Sequence, residues 1–217
     1  MKKRTFLGLC VSSLLATLVG QGQERSQLRT PVSVESSRIL IAYYSWGGNT
    51  RFVAEQIRKE TGGTLFEIKP AEAYPQDYNA CTQVAKQQIK DGFRPDLATK
   101  VDNIGQYDVI FIGSPNWWSN IAPPVASFAA GYDLAGKTVI PFVTHGGGGL
   151  AHCEENLRKL CPGSVFLKSG VFAGKGIRSY RAAIAKCYHQ RITRLLKNRV
   201  LPGRPSMGGS VGISRSG

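Results

Sequence analysis

The sequence predicts a doubly wound α/β domain, with a five-stranded parallel sheet between two layers of helices. Two observations support this prediction. Short β-branched and aromatic runs alternate with longer runs of helical periodicity, and the predicted strands are apolar throughout, as strands covered on both faces are. The 217 residues, 42% of them hydrophobic, are enough for one core of ordinary size, which argues against wholesale disorder.

The first half of the domain contributes three predicted strands and two predicted helices. An apolar run at 39–44 predicts the first strand, and the helix at 51–60 ends before a Gly-Gly pair. A second strand is expected at 64–68 and helical spacing returns at 78–89. A continuous apolar run at 107–113 predicts the third strand.

The second half repeats the alternation. A helix is expected at 123–130, a fourth strand at 138–143 and a helix at 150–160. The fifth strand is expected at 165–171, and a basic helix at 180–197 closes the domain. In such sheets ligands bind beyond the carboxyl ends of the strands, so the loops after the first, third and fourth strands are where a site is expected.

The ends of the chain predict export. A basic start precedes an uncharged, moderately apolar run, which is typical of a secretory signal peptide at 1–22. The start resembles a twin-arginine signal with one arginine missing, and a retained membrane anchor is the alternative. We expect a linker at 23–37, the domain at 38–198 and a disordered basic tail rich in Gly, Ser and Pro at 199–217. The expected location is periplasmic or extracellular.

The net charge of +14 lies entirely at the ends of the chain. Residues 1–38 carry +4 and residues 175–217 carry +10, whereas 39–174 balance twelve basic against twelve acidic residues. The core therefore has no net field for nucleic acid, and we expect no nucleic-acid partner. The basic helix at 180–197 is interpreted as a solvated face or as a surface that contacts an acidic partner or an anionic membrane.

Four cysteines remain after the predicted signal peptide, Cys81, Cys153, Cys161 and Cys187. Their even number allows two disulfides in an oxidising compartment, but the sequence does not decide between disulfides and four buried thiols. His152 beside Cys153 is too small a set for a metal site, and we expect no metal.

The first loop runs directly into a helix and combines small residues with short polar ones. Small residues allow a ligand to approach the backbone, and a helix start offers free N–H groups with partial positive charge. Because the loop has no lysine, it is typical of a site for a phosphate monoester held by neutral groups. A tight turn capped by Asn49 or Thr50 is the alternative. The candidate residues are Ser45, Trp46, Gly47, Gly48, Asn49 and Thr50.

The second and third loops are suited to a flat aromatic ligand. Two adjacent tryptophans offer large faces for stacking, although either one could instead fill the core. The glycine run allows backbone amides to approach a ring edge, and His145 is expected either near the ligand or at the cap of the next helix. The candidates are Ser114, Pro115, Asn116, Trp117 and Trp118 in the second loop, and Thr144, His145, Gly146, Gly147 and Gly148 in the third.

The stretch 38–173 resembles the flavodoxin family in strand order, in loop positions and in the segment 136–142. In that family the first loop reads approximately Ser-x-Thr-Gly-Asn-Thr and holds the phosphate of FMN. Ser45, Gly48, Asn49 and Thr50 match it, while Gly47 replaces a threonine. The resemblance implies a flavodoxin-like fold and FMN as the cofactor, with Trp117 or Trp118 packed on the flavin ring.

The resemblance also leads to two hypotheses about the chemistry. Because none of the three loops contains an acidic residue, we expect a less negative reduction potential than in acidic flavodoxins. Flavodoxins commonly flip a peptide at a glycine in the second loop to stabilise the one-electron-reduced flavin. Since no glycine follows Ser114 in that loop, we expect little of that species and chemistry by electron pairs.

The sequence favours an exported FMN-binding electron carrier that works with a redox partner protein or a small quinone-like acceptor. An FMN-dependent NAD(P)H:quinone-type reductase is the first alternative, so whether the protein is an enzyme stays open. The second alternative is a non-redox surface-binding module with a vestigial flavin site.

Overall fold

The computed structural model describes residues 38–174. In this part of the chain a parallel sheet has the strand order β2-β1-β3-β5-β6, with β4 added to β3 and β7 added to β5. The predicted signal peptide, linker, basic helix and tail lie outside the described residues, as does Cys187.

The helices and strands follow the predicted alternation. The strands are β1 Ile39–Tyr43, β2 Thr64–Glu67, β3 Val109–Trp117, β4 Asn120–Ile121, β5 Thr138–His145, β6 Val165–Phe166 and β7 Gly170–Ala173. The helices are α1 Asn49–Thr61, α2 Tyr78–Asp91, α3 Pro123–Ala130 and α4 Cys153–Leu160, with a 3₁₀ turn at Ile104–Gln106.

The two faces of the sheet support separate cores. Odd-numbered residues of β1 pack with Val53 and Ile57 of α1. Even-numbered residues of the same strand pack with Ala85, Phe128 and Leu157, which belong to α2, α3 and α4. Because successive strand residues point to opposite faces, this division places helices on both sides of the sheet and confirms the three-layer doubly wound fold.

The strands differ from the prediction in several places. The short strand β4 was not predicted, and β5 continues past residue 143 to His145, so that Thr144 and His145 lie in the strand and not in the third loop. β3 continues past the predicted end at Gly113 to Trp117, because Ser114 and Pro115 stay in register with β5. The predicted fifth strand is divided into β6 and β7, which pair with the beginning and the end of β5. Between them, Ser169 donates a hydrogen bond from its hydroxyl to Glu154 of α4, and this local contact accompanies the interruption.

A close approach between β3 and β5 explains why residue 113 is a glycine. A Cβ atom built at this position would lie 2.1 Å from the ring of Phe142, a fully buried residue of β5. The position therefore admits no side chain unless the central core moves. Phe142 fills that space at the point where β3 approaches the predicted site.

Three cysteines in the described part of the chain, Cys81, Cys153 and Cys161, are buried free thiols. Burial raises the pKa of Cys153 to about 12 and that of Cys161 to about 11. Both thiols therefore stay protonated and unreactive at neutral pH. Among residues 38–174, no helix has the length and apolar character needed to cross a membrane.

Candidate functional site

The three predicted loops meet at the carboxyl edge of the sheet and are joined by hydrogen bonds. The hydroxyls of Thr50 and Thr144, both buried, lie 2.8 Å apart and connect the start of α1 to the end of β5. The amide of Asn116 donates to the carbonyl of Gly149 at 2.8 Å, connecting the second loop to the third. The fold thus brings the three segments into one site.

The first loop presents an open start of α1. The helix begins after Gly48, which adopts the left-handed conformation with φ 84°, and no side chain caps its first N–H groups. Capping by Asn49 or Thr50, the alternative considered from the sequence, is not what the structure shows. The first turn contains no acidic residue. These N–H groups therefore face a position suited to an anion.

The same loop contains a buried polar atom without a partner. Ser45 Oγ is buried and makes no hydrogen bond, a situation that disfavours the folded protein unless a ligand satisfies it. A Cβ atom built at Gly47 or at Gly48 would meet nothing within 4 Å. A free hydroxyl, open glycines and an uncapped helix start together fit a phosphate group.

In the second loop the polar residues form part of the strand. Ser114 is fully buried, and its hydroxyl accepts from the backbone N–H of Ala122 at 2.9 Å. Pro115 pairs in register with Thr144 of β5. The structure thus places Ser114 in the connection toward α3, while Asn116 lies at the junction with the glycine loop.

The two tryptophans occupy different environments. Trp117 is half-buried, and its ring packs nearly perpendicular to Tyr44 and Tyr74, with centroids 5.5 and 5.0 Å away. Trp118 is 51% exposed, and its Nε1 donates to the carbonyl of Thr82 at 3.0 Å. Trp117 thus has a fixed orientation at the edge of the core, whereas Trp118 lies on the surface of α2.

Trp118 also has an unfavourable backbone conformation. Trp118 and Ser119 are the two central residues of the hairpin between β3 and β4, with φ angles of 50° and 65°. Asn and Gly are preferred in such turns because other residues are strained at positive φ. The hairpin therefore presents an indole where an unstrained turn would have a small residue.

The third loop begins with a buried hydrogen-bonding residue and continues with exposed glycines. Thr144 is buried, and His145 ends β5 with its Nδ1 atom buried and without a hydrogen bond. His152, not His145, is at the N-cap of α4. Gly146 and Gly147 have open space where a Cβ would lie, whereas a Cβ at Gly148 would touch Asn116.

Beside the second loop lies a cavity of about 250 Å³ that we call the α2 cavity. Four of its residues come from one face of α2 and were missed by the sequence analysis. The sequence signal that could have identified them is their i, i+3, i+4, i+7 spacing, which places them on one face of α2. This helix follows β2, the strand next to β1. The lining residues are Trp46, Tyr78, Cys81, Thr82, Ala85, Asn116, Trp117 and Trp118.

The α2 cavity lacks negative charge. None of its lining residues is acidic, and Lys86 Nζ lies 4.8 Å from the ring centroid of Trp118. Burial raises the pKa of Tyr44 and of Tyr74, which lie behind Trp117, so both phenols stay neutral. Within residues 38–174 no group of three or more His, Cys, Asp or Glu side chains is placed to hold a metal ion.

The comparisons with known proteins agree with this architecture. The family model described as Flavodoxin matches residues 38–185. A candidate flavoprotein from Bacteroides eggerthii is 36% identical, with a TM-score of 0.57 over 69% of this chain and 98% of that chain. One from Bacteroides uniformis is 31% identical, with a TM-score of 0.59 over 68% and 97%.

A third similar structure contains the cofactor. The flavoprotein from Lactobacillus acidophilus in complex with FMN is 27% identical, with a TM-score of 0.54 over 62% of this chain and 92% of that chain. No curated protein matches the sequence. The family match spans more than half of the chain and includes all three loops, and on this ground the chain belongs to the flavodoxin family.

Proposed function

We propose that this protein binds FMN at the carboxyl edge of its sheet and uses it to transfer electrons. The observation that carries the proposal is the unpartnered hydroxyl of Ser45 beside the open, uncapped start of α1. Family membership and the FMN complex of the Lactobacillus acidophilus relative support it. The flavin, when bound, would supply the redox chemistry, and the protein would position it and set its electrostatic surroundings.

The residues of the site divide into two groups by what they offer. Ser45 and the N–H groups of the first turn of α1 would hold the phosphate. Asn116, Trp117 and the glycine loop would contact the ring. The Thr50–Thr144 hydrogen bond keeps the two groups in fixed relation, since it joins the helix start to the strand that carries the glycine loop.

The backbone of the second loop supports transfer of electrons in pairs. Pro115 is in register with β5, and Asn116 and Trp117 pair with Ile121 and Asn120 of β4. Turning a peptide of this segment would break ladder hydrogen bonds, each worth about 1 kcal/mol net. We therefore expect electrons to be transferred in pairs, and photoreduction of the FMN-loaded protein followed by absorbance spectroscopy tests this.

The central test is binding of FMN to the purified protein. Isothermal titration with FMN, and with riboflavin as the control that lacks the phosphate, should show tighter binding of FMN by at least tenfold. Absence of FMN binding to folded protein would refute the proposal and favour the non-redox surface-binding alternative. Equal affinity for both ligands would show that the phosphate is not held at α1.

The α2 cavity favours a second candidate, an FMN-dependent NAD(P)H:quinone-type reductase. An aromatic cavity that shares Asn116 and Trp117 with the ring site offers room for a second small molecule. Oxidation of NAD(P)H by the FMN-loaded protein alone, in the presence of a quinone, would identify a reductase. A carrier would require a separate reductase protein.

Export and contact with an anionic membrane surface are further proposals that rest on the basic ends of the chain. Cell fractionation, with mass spectrometry of the mature N-terminus, tests cleavage near residue 22. Co-sedimentation with vesicles containing anionic lipid tests the membrane contact, which should weaken as salt is raised.

A further inference from the structure

We propose that the α2 cavity binds a planar aromatic molecule that carries a negative charge, with Trp118 as the stacking surface and Lys86 as the charge partner. This inference rests on the proposed function and deepens it, because it names the chemical class of the second reactant that would approach the flavin. It assigns Trp118 to that reactant and leaves Trp117 for the cofactor.

The size and the aromatic lining of the cavity favour a small flat molecule. Its volume of about 250 Å³ lies below the usual range for drug-sized ligands. Three indoles and the phenol of Tyr78 form most of the aromatic surface, and Trp46 Nε1 is committed to the carbonyl of Pro75 at 3.0 Å. A ring system of two or three fused rings matches this space and this surface.

Trp118 has a strained backbone conformation, and about half of its surface remains exposed. It is 51% exposed at φ 50°, in a turn position where Asn or Gly would be relaxed. Its hydrogen bond to Thr82 fixes the ring against α2, where it forms one wall of the cavity. A strained and exposed aromatic residue beside a cavity is best explained by contact with a ligand.

A positive charge lies beside one wall of the cavity. Lys86 of α2 does not line the cavity itself, but its Nζ lies 4.8 Å from the ring centroid of Trp118, which does. In the described part of the chain no carboxylate lies within ion-pair distance of this lysine. An acidic substituent on a ring stacked at Trp118 would supply the missing countercharge.

Two anthraquinones of the same ring system test the inference, anthraquinone-2-sulfonate and the uncharged 2-(hydroxymethyl)anthraquinone. Each is titrated calorimetrically into the full chain, with and without saturating FMN. We expect the sulfonate to bind about tenfold tighter than the uncharged analogue, as one desolvated charge contact allows. Lys86→Gln should remove this preference. Lys90→Gln, one turn further along the same helix, should keep it, because Lys86 and not Lys90 makes the cation–π contact with Trp118.

A second variant separates the stacking role of Trp118 from a structural one. Trp118→Asn should weaken binding of both anthraquinones about tenfold, because a stacking face is lost. The variant relieves the backbone strain but also removes the hydrogen bond to Thr82 and the contact with Lys86, so thermal unfolding serves only to show that it is folded. If Trp118 were only structural, the folded variant would bind both anthraquinones as before, and the inference would fail.

The remaining outcomes are also decisive. Equal affinity for the two anthraquinones, or equal effects of Lys86→Gln and Lys90→Gln, would overturn the inference. Displacement of the sulfonate by FMN would overturn it too, since the cavity would then belong to the flavin itself. A protein that binds FMN but neither anthraquinone refutes this inference alone. One that binds the sulfonate but not FMN refutes the proposed function alone.

Discussion

Two regions of the site are built in opposite ways. The phosphate region, residues 45–50, consists of small side chains around an open helix start, with a free hydroxyl and no side-chain cap. The aromatic region, made of α2 and the β3–β4 hairpin, consists of large side chains held by hydrogen bonds and by ring packing. The phosphate region offers backbone N–H donors, and the aromatic region offers flat ring surfaces. The phosphate region thus suits a compact anion, and the aromatic region suits a flat ring.

The largest expected effect comes from closing the phosphate region. Gly48→Val places a branched side chain at φ 84° in space that is now open. We expect FMN affinity to fall roughly 100-fold, since about two charged hydrogen bonds of about 1.5 kcal/mol each are lost. Riboflavin affinity should fall much less. Fluorescence titration measures both.

Gly92→Val is the matched control for that substitution. Gly92 has φ 64° and equally open surroundings, but it caps the far end of α2. Gly92→Val should lower the free energy of unfolding by about 1–2 kcal/mol, because a side chain in the left-handed region is strained. It should not change the affinity for FMN. If both variants lost FMN equally, strain rather than access would explain the result.

The next largest effect concerns charge at the junction of the two regions. Asn116→Asp places a carboxylate where the proposed ring site has none, which disfavours the anionic reduced flavin. At about 6 Å and an effective dielectric constant of about 20 the repulsion is about 3 kcal/mol, or about 60 mV for a two-electron couple. A redox titration should therefore show a more negative potential.

Two variants control for the geometry of that change. Asn116→Leu removes the hydrogen bond to Gly149 without adding charge. Asn103→Asp adds the same charge just before the 3₁₀ turn that precedes β3, at the opposite end of that strand. An equal shift in potential for Asn116→Asp and Asn116→Leu would exclude the electrostatic explanation.

A smaller effect is expected at Ser45. Ser45→Ala should weaken FMN about tenfold, equivalent to one charged hydrogen bond of about 1.5 kcal/mol. The FMN-free protein should keep or gain thermal stability, because the hydroxyl that is buried without a partner is removed. A loss of stability without FMN would show that Ser45 has a structural partner instead.

The smallest effect is expected in α4, away from both regions. Burial acts to raise the pKa of Glu154, but hydrogen bonds from Ser169 and Arg158 outweigh it and lower this pKa overall. The stabilisation is therefore complete above the unfolded-state pKa and is lost as pH falls through the lower folded-state value. Glu154→Gln should cost under about 1 kcal/mol at pH 7, and thermal unfolding should show the difference shrinking as pH falls through the lowered folded-state pKa of Glu154.

The sequence predicts the alternation of strands and helices well because each strand carries apolar residues for two cores, as Ile39 and Leu40 do on opposite faces of β1. The prediction is less accurate where pairing between distant segments of the chain determines the length of a strand. The segment 114–117 has the polar composition of a loop, yet it continues β3 because β5 and β4 offer partners on both sides.

The site shows the same limit. The helix start at Gly48 is readable from sequence, because small residues and a following helix are local signals. The turn at Trp118 and Ser119 lacks the Asn-Gly signal of a tight hairpin, so its geometry is not readable. The contribution of Tyr78 and Thr82 depends on how α2 packs beside β3, which local sequence does not specify.

The hydrogen bond between Thr50 and Thr144 has a kinetic consequence. Because this bond joins α1 to β5 before any ligand binds, the site is already assembled and ligand binding needs no slow rearrangement. Ligand association should then proceed in a single exponential phase, so that differences in affinity among variants arise mainly from their dissociation rates.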